Sequence, residues 1–374
     1  MKRISLFLLL FLLLKATVMY SQDGHPETNF RIVPVSPNAA SLGTYGLIPT
    51  DNYVGQARIS IPIYEIDLDG KKFPIALSYH TDGTRVAQEA TWIGLGWTLQ
   101  AGGCVVRQVQ GTDDFAARGC YNLTDAPWLT NPRFEVTDQN LEKYMGYFKG
   151  DYDAEPDMFY FNAGGHSGSM YFDVLKNNRQ LNAVPTIQTQ EKVVKMVYNT
   201  SNKTWTMTDL EGYVYSFSTK EITYYFLNTI DFFQTDITRS HIFPYYNEPQ
   251  IVTAWMLDSV TSPNGGKITF SYKKESIFTP ISTTEDVISL SKIVNGQLSS
   301  QSPQYFTNKF NYNYSYSKIE QWTLSAITFE GGKVEFGTTD REDIESAETG
   351  KKVQKLSSIK VSDTAGNLIK TTML

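Results

Sequence analysis

Asp151, Asp153, Glu155 and Asp157 alternate along the chain, and clustered carboxylates are the first place to look for a hard cation. An EF-hand loop counted from Asp151 needs Gly at its sixth position and Glu at its twelfth, where Pro156 and Asn162 stand instead. The run therefore reads as an acidic turn ahead of a strand, and no metal is expected. His25, His80, His166 and His241 never fall two, three or four residues apart, so no local metal-binding ribbon or helix is encoded. His166-Ser167-Gly168 invites comparison with the Gly-x-Ser-x-Gly nucleophile elbow; Gly165 fits the first position, but Ser169 replaces the last glycine. These residues read as a turn. Gly94–Trp97 and Ala101–Gly103 are glycine-rich without the phosphate-binding patterns G-x-G-x-x-G or GK[ST], and no βαβ rhythm surrounds them. Glycines between tryptophans instead suit a close approach of two backbones beside large rings. Cys104 and Cys120 form one disulfide after export or remain buried thiols; two cysteines make neither a framework nor a metal site. No catalytic residue and no cofactor is assigned.

The elements around these residues are strands. In Arg58–Ile66, Ile59, Ile61 and Ile63 alternate with Ser60 and Pro62; Phe73, Ile75, Leu77 and Tyr79 alternate in the same way over Lys72–His80. Asp69-Gly70 between them is a tight-turn dipeptide, which predicts a β-hairpin. Pro62 and Pro74 belong at an edge, a bulge or a strand start. Met158–Phe161 and Ser169–Asp173 read as two strands joined by AGGHSG, and TWTMTDLEGYVYSFS as a hairpin turning at Glu211-Gly212. Residues 255–272, 322–336 and 355–370 repeat one pattern: Leu-x-x-Ile/Val, a short run, a glycine, then an alternating strand. Each is expected to be a hairpin that buries an apolar face by stacking on the next. The segment 138–149 is expected to be a short amphipathic helix packed on a sheet, with Leu141, Tyr144, Met145 and Phe148 on one face.

Composition agrees with sheet. The chain of 374 residues carries 23 Tyr, 21 Phe and 6 Trp. Lys2 and Arg3 precede an apolar run from Ile4 to Leu14, the pattern of a Sec-type signal peptide cut after Ser21. That run is too short to span a membrane, and no transmembrane segment is expected after cleavage. Removal of 1–21 takes away three cations, so the formal charge moves from −6 to −9, a poor footprint for nucleic acid.

Several of these residues fall in a known order. ISIPI…PIALSYH, then TWIGLGWTLQAGGCVVR, resembles the opening module of the SpvB/Rhs (YD-repeat) proteins, through Ile61, Pro62, Ile63, Leu77, Ser78, Tyr79, Trp92, Gly94, Gly96, Trp97, Leu99, Gly102, Gly103 and Arg107. GTRVAQEATWIGLGW is especially similar to large exported Rhs-type proteins of Bacteroidetes bacteria. EPDMFYFN…GHSGSMYFD, with Glu155, Pro156 and Asp157, is similar to the segment that follows that module; Ala163-Gly164 departs from it, since a larger residue is common there.

The resemblance implies a mainly β, antiparallel fold of hairpins in large curved sheets or a shell-like sandwich. It also implies a non-catalytic role as the N-terminal shell portion of an exported Rhs-type protein, periplasmic, surface-bound or secreted. Its partners would be further β-repeat segments of the same or a companion polypeptide. The expected organisation is a signal peptide (1–21), an extended lead-in (22–55), the opening module (56–177) and a hairpin array (178–374). A secreted glycan-binding or glycan-degrading protein is the alternative, because exposed aromatics stack on sugars and carboxylate pairs on β scaffolds hydrolyse them. Large aromatic side chains of this kind ordinarily pack into a core instead.

Overall fold

The structure, a computed structural model, describes residues 36–39, 59–80, 88–111, 113–116, 119–122, 141, 145, 153, 155–173, 182–188, 194–231, 250–279, 282–289, 293–294, 297–298 and 308–374. The expected signal peptide and most of the lead-in lie outside the described residues. So does most of the expected helix 138–149, of which Leu141 and Met145 are helical but exposed.

The described chain is almost wholly antiparallel β-structure. It opens with β1 (Ile59–Leu68), β2 (Lys71–Tyr79), β3 (Trp97–Gln100) and β4 (Gly103–Gln108). There follow β5 (Met158–Ala163), β6 (His166–Tyr171), β7 (Asn182–Ala183), β8 (Thr186–Ile187), β9 (Val194–Asn199) and β10 (Thr204–Asp209). Next come β11 (Val214–Asp231), β12 (Gln250–Thr261), β13 (Lys267–Phe278), β14 (Ser282–Ser289), β15 (Ile293–Val294) and β16 (Gln297–Leu298). The last are β17 (Asn308–Phe329), β18 (Gly332–Asp340), β19 (Gln354–Ser362) and β20 (Leu368–Met373). Strands β1–β3 form one sheet, β15 and β16 a two-stranded ribbon, and the remainder a sheet of 15 strands. Within that sheet the pairings β11–β12, β12–β13, β13–β17 and β17–β11 close a circuit.

The β1–β2 hairpin turns where expected, with Asp69 and Gly70 both at positive φ (51° and 92°). Its buried face differs from the expected one. The ladder slips between Pro62 and Tyr64, so Ile63 has no cross-strand partner and the side-chain parity reverses. Ile63, Ile66 and Leu68 are buried while Ile59 and Ile61 are exposed. Pro62, which offers no N–H to the ladder, sits at that bulge.

The three repeats form the hairpins β12–β13, β17–β18 and β19–β20. They do not stack on one another as expected. β13 pairs with β17 and β18 with β19, so the hairpins join edge to edge through backbone hydrogen bonds in one sheet. Their apolar face is covered by the small sheet: Ile63, Ile66, Ile75, Leu77 and Leu99 share one core with Ile268, Ile327, Val334, Ile359 and Val361. Aromatic rings continue that core, with Trp205 against Phe159 and Phe172 at centroid distances of 5.3 and 5.7 Å.

Two further expectations are corrected. His166, Ser167 and Gly168 are not a turn; the turn is Gly164-Gly165, at φ +60° and +83°, and His166 begins β6. The lead-in is not wholly extended, because residues 37–39 form a helical turn, and Ser36, Asn38 and Ala39 are buried.

Candidate functional site

The motif residues Arg107 and Asp157, fifty positions apart, meet in the interior. Arg107 lies on β4 opposite Phe159 of β5, and that ladder carries its side chain to the residues just ahead of β5. Arg107 is 1% exposed and Asp157 0%. The Arg107 Nε donates to Asp157 Oδ2 at 2.8 Å, and one terminal nitrogen bonds both Asp157 and Asp113. The guanidinium rests on the rings of Phe115 and Phe159, at 5.1 and 5.7 Å from their centroids.

Asp157 also orders backbone. Its Oδ1 accepts the Gln110 amide at 2.7 Å and its Oδ2 the Asp114 amide at 3.2 Å. Asp114 Oδ2 in return accepts the Asp157 amide at 2.9 Å, so each aspartate caps the other's backbone. Asp113 Oδ1 accepts the Phe115 amide at 2.8 Å. The loop after β4 and the strand start at β5 are thus fastened at one point. Burial, and then the charge of Asp157, push the Asp114 carboxyl up to about 9. Burial raises Asp157 as well, while Arg107 and the two amides act downward. Asp114 is accordingly the protonated member at neutral pH, and Asp157 is the one that pairs with the Arg107 guanidinium. Asp114 Oδ1 has no hydrogen-bond partner among the described residues.

Two residues expected in the acidic turn border this centre. Asp153 is buried and accepts the Glu155 amide at 3.0 Å, and Gly111 (φ +70°) leaves it room, since a Cβ there would stand 2.9 Å from Asp153 Oδ1. Glu155 is exposed and Pro156 half-buried. Asp151 lies outside the described residues. Among the described residues no group of three or more His, Cys, Asp or Glu side chains is arranged to hold a metal ion. Cys104 and Cys120 are both buried free thiols. Burial is the main cause that pushes both up, aided by Glu221 at Cys104 and by Asp114 at Cys120, so neither is a ready nucleophile.

A second cluster fastens the hairpin turns. Asp209 Oδ2 accepts Lys71 Nζ at 2.5 Å and Tyr215 Oη at 3.1 Å, and its Oδ1 accepts the amides of Glu211 and Tyr213 at 3.0 and 2.9 Å. The Tyr213 hydroxyl donates to the Leu68 carbonyl at 3.0 Å. His166 Nε2 stands 3.8 Å from Asp209. Burial, and then Lys71, lower the His166 pKa, so its ring is neutral at pH 7. Burial alone would raise the Asp209 carboxyl, but Lys71 and the Tyr213 amide hold it below the usual range. Gly164 has no room for a side chain, since a Cβ would stand 2.2 Å from Tyr215 Oη. The small residues at Ala163-Gly164, unexpected from the resemblance, are what β4 and Tyr215 require.

The remaining motif residues build the corner between β2 and β4. Trp92 is buried, with its ring 6.4 Å from Phe336, and Tyr79 lies 5.2 Å from Trp97. Thr91 Oγ1 donates to the carbonyls of Gly94 and Trp97 at 3.1 and 2.8 Å. A Cβ at Gly96 would stand 2.7 Å from the His80 carbonyl, and one at Gly103 would stand 2.4 Å from the Asn162 carbonyl. Gly102 (φ +94°) faces Phe270. Leu77 is buried beside these residues.

The Asp113-Asp114 pair and the Lys71–Asp209–Tyr215 cluster carry no sequence signal beyond GTDDF, which reads as loop, and scattered polar residues. Their roles depend on long-range pairing. Chemically, both clusters hold backbone in place: the Arg107 guanidinium and the Lys71 ammonium are engaged by carboxylates, and Asp114 and Asp157 are closed to a polysaccharide.

No family model and no curated protein matches the chain. Among solved structures it is similar to a chain of the crystal structure of TcdB2-TccC3-Cdc42, with 10% identity and a TM-score of 0.32, over 83% of this chain and 13% of that one. It is also similar to the N-terminal domain of effector protein SpvB from Salmonella typhimurium strain LT2, with 11% identity and a TM-score of 0.33, over 84% of this chain and 98% of that one. The chain thus spans about an eighth of the TcdB2-TccC3-Cdc42 chain that it matches.

Proposed function

We propose that the chain is a non-catalytic wall segment of an exported Rhs-type protein, and that its sheet is continued by further β-repeat strands of the same or a companion polypeptide. The observation that carries this reading is β20. It pairs with β19 alone among the described residues, and it leaves Leu368, Ile369 and Met373 at 63%, 55% and 73% exposure. An apolar strand open along one edge and on both faces is a template for another strand. The clusters around Arg107 and Asp209 support a scaffold role, since they fix turns. The buried Trp205 and Trp255 serve the core and are closed to sugars.

The test is self-association of the purified chain by sedimentation. Wild type is expected to associate as concentration rises, and Leu368→Lys with Ile369→Lys to remove association without lowering the thermal midpoint. A wild type that stays monomeric at hundreds of micromolar overturns the reading. Saturable micromolar binding on a glycan array overturns it in favour of a carbohydrate-binding protein.

A further inference from the structure

Residues 36–39 sit in the protein as a ligand sits in a receptor. Ser36 donates its amide to Glu221 Oε1 at 2.8 Å and its hydroxyl to Glu221 Oε2. Asn38 Oδ1 accepts the Trp92 amide at 2.8 Å, and its Nδ2 donates to Gln321 Oε1 at 3.4 Å. Ala39 is fully buried in a small core with Cys104, Val106, Ala254 and Met256, against Trp322. The sequence separations of the two side-chain contacts are 185 and 283 residues. The segment belongs to no strand of either sheet.

The residues that receive it are held by other means. Glu221 lies on β11, which is hydrogen-bonded to β12 around that residue, and Gln321 on β17, bonded to β13. Thr253 of β12 donates to Glu221 Oε1 at 3.1 Å and stands 3.1 Å from the Thr223 hydroxyl. The Trp92 carbonyl accepts the Leu356 amide at 2.8 Å, and its ring is part of the main core. The receiving surface is therefore built by the sheet and the Trp92 corner without help from the segment.

Its chemistry is selective. A fully buried carboxylate wants charge-assisted donors, and Ser36 supplies two from one residue. Asn38 is read as donor and acceptor at once. The space at Ala39 is limited: the cavity left beside it measures only about 30 Å³, roughly one water molecule.

We propose that the surface formed by Glu221, Thr253, Gln321 and the Trp92 amide is a peptide-binding site for a Ser-Pro-Asn-Ala sequence, filled in cis by Ser36–Ala39 and able to take the same segment from a second copy of the chain. This is independent of whether β20 is extended by further strands.

The test uses the full chain carrying Ser36→Ala and Asn38→Ala, and a fluorescent synthetic peptide of residues 32–43, by anisotropy. The double variant is expected to stay folded and to bind the peptide saturably, at least tenfold tighter than wild type, whose site is occupied. A peptide bearing the same two changes is expected to bind at least tenfold more weakly. A double variant that unfolds overturns the proposal, because the segment is then part of the core and no separate receptor exists. Equal binding to wild type and variant, or equal binding of both peptides, overturns it too. Hydrogen exchange on wild type gives a second arm. The Ser36 and Ala39 amides are expected to exchange at least tenfold faster than those of β11 and β17 near Glu221 and Gln321, by local release. Equal protection overturns the idea of a separable ligand.

Discussion

Replacing Arg107 with Met removes a buried cation while keeping most of the side-chain volume. The guanidinium is 1% exposed and touches Asp157, Asp113 and two aromatic rings. Without it the Asp157 carboxylate stays buried with only backbone amides for company. Breaking a buried pair by removing one partner costs about 3–5 kcal/mol, because an uncompensated charge is left behind. Native stability is only about 5–15 kcal/mol, so the loss is large. Urea unfolding followed by tryptophan fluorescence will read it directly, since Trp205 and Trp255 are fully buried. The companion variant Arg107→Met with Asp157→Asn keeps an acceptor for the Gln110 amide and removes the stranded charge. It is expected to cost at least about 1 kcal/mol less than the sum of the two single changes, a coupling within the range for contacting residues.

The pH dependence supplies a further check. Removing Arg107 takes away a cause that lowers the Asp157 pKa, so its folded value moves further above the unfolded one. A carboxyl with a raised folded pKa contributes stability that is fully present below the unfolded value and is lost as pH rises through the folded one. Arg107→Met should therefore regain stability more steeply than wild type as pH falls from 7 to 5. A cost under about 1 kcal/mol, or identical pH slopes, would refute the claim that this ion pair fastens the β4–β5 junction.

At Asp114 the sign runs the same way. Its carboxyl is pushed up to about 9, so wild type should lose stability as pH rises from about 4 and level off above about 9, by at most about 1.4 kcal/mol per pH unit for one proton; Asp114→Asn should flatten that decline in thermal scans. Gly96→Val should abolish soluble expression, because its Cβ would stand 2.7 Å from the His80 carbonyl at φ +76°. Gly94→Val, with only Trp97 nearby at 3.6 Å, should fold with a loss of about 1–3 kcal/mol; equal behaviour of the two would show that backbone approach at Gly96 does not matter.

Local periodicity predicted what neighbouring residues decide among themselves. The Asp69-Gly70 turn, the β10–β11 hairpin and the three repeated hairpins need only alternation and a turn dipeptide, and all are present. Periodicity misled where one unpaired residue shifts the count. Ile59 and Ile61 alternate with Ile63 in sequence, yet a bulge at Ile63 turns them to solvent. The edge-to-edge union of the repeats was hidden for a different reason: an apolar face reports that something covers it, and only backbone registers say what lies beside it.

The polar centres were the least legible. Arg107 and Asp157 each stood in a recognised motif, but their contact is set by the β4–β5 register, which pairs Arg107 with Phe159 two places beyond Asp157. Ser36 and Glu221 had no local mark at all, because a serine after a valine in a proline-rich stretch looks like linker. What distinguishes it is a partner 185 residues away. In an antiparallel sheet the strands supply their own hydrogen bonds, so buried charges and the short segments that satisfy them need no periodic neighbours. They are the positions where contacts distant in sequence decide everything, and the Ser36–Glu221 contact is where the function of this chain is best interrogated next.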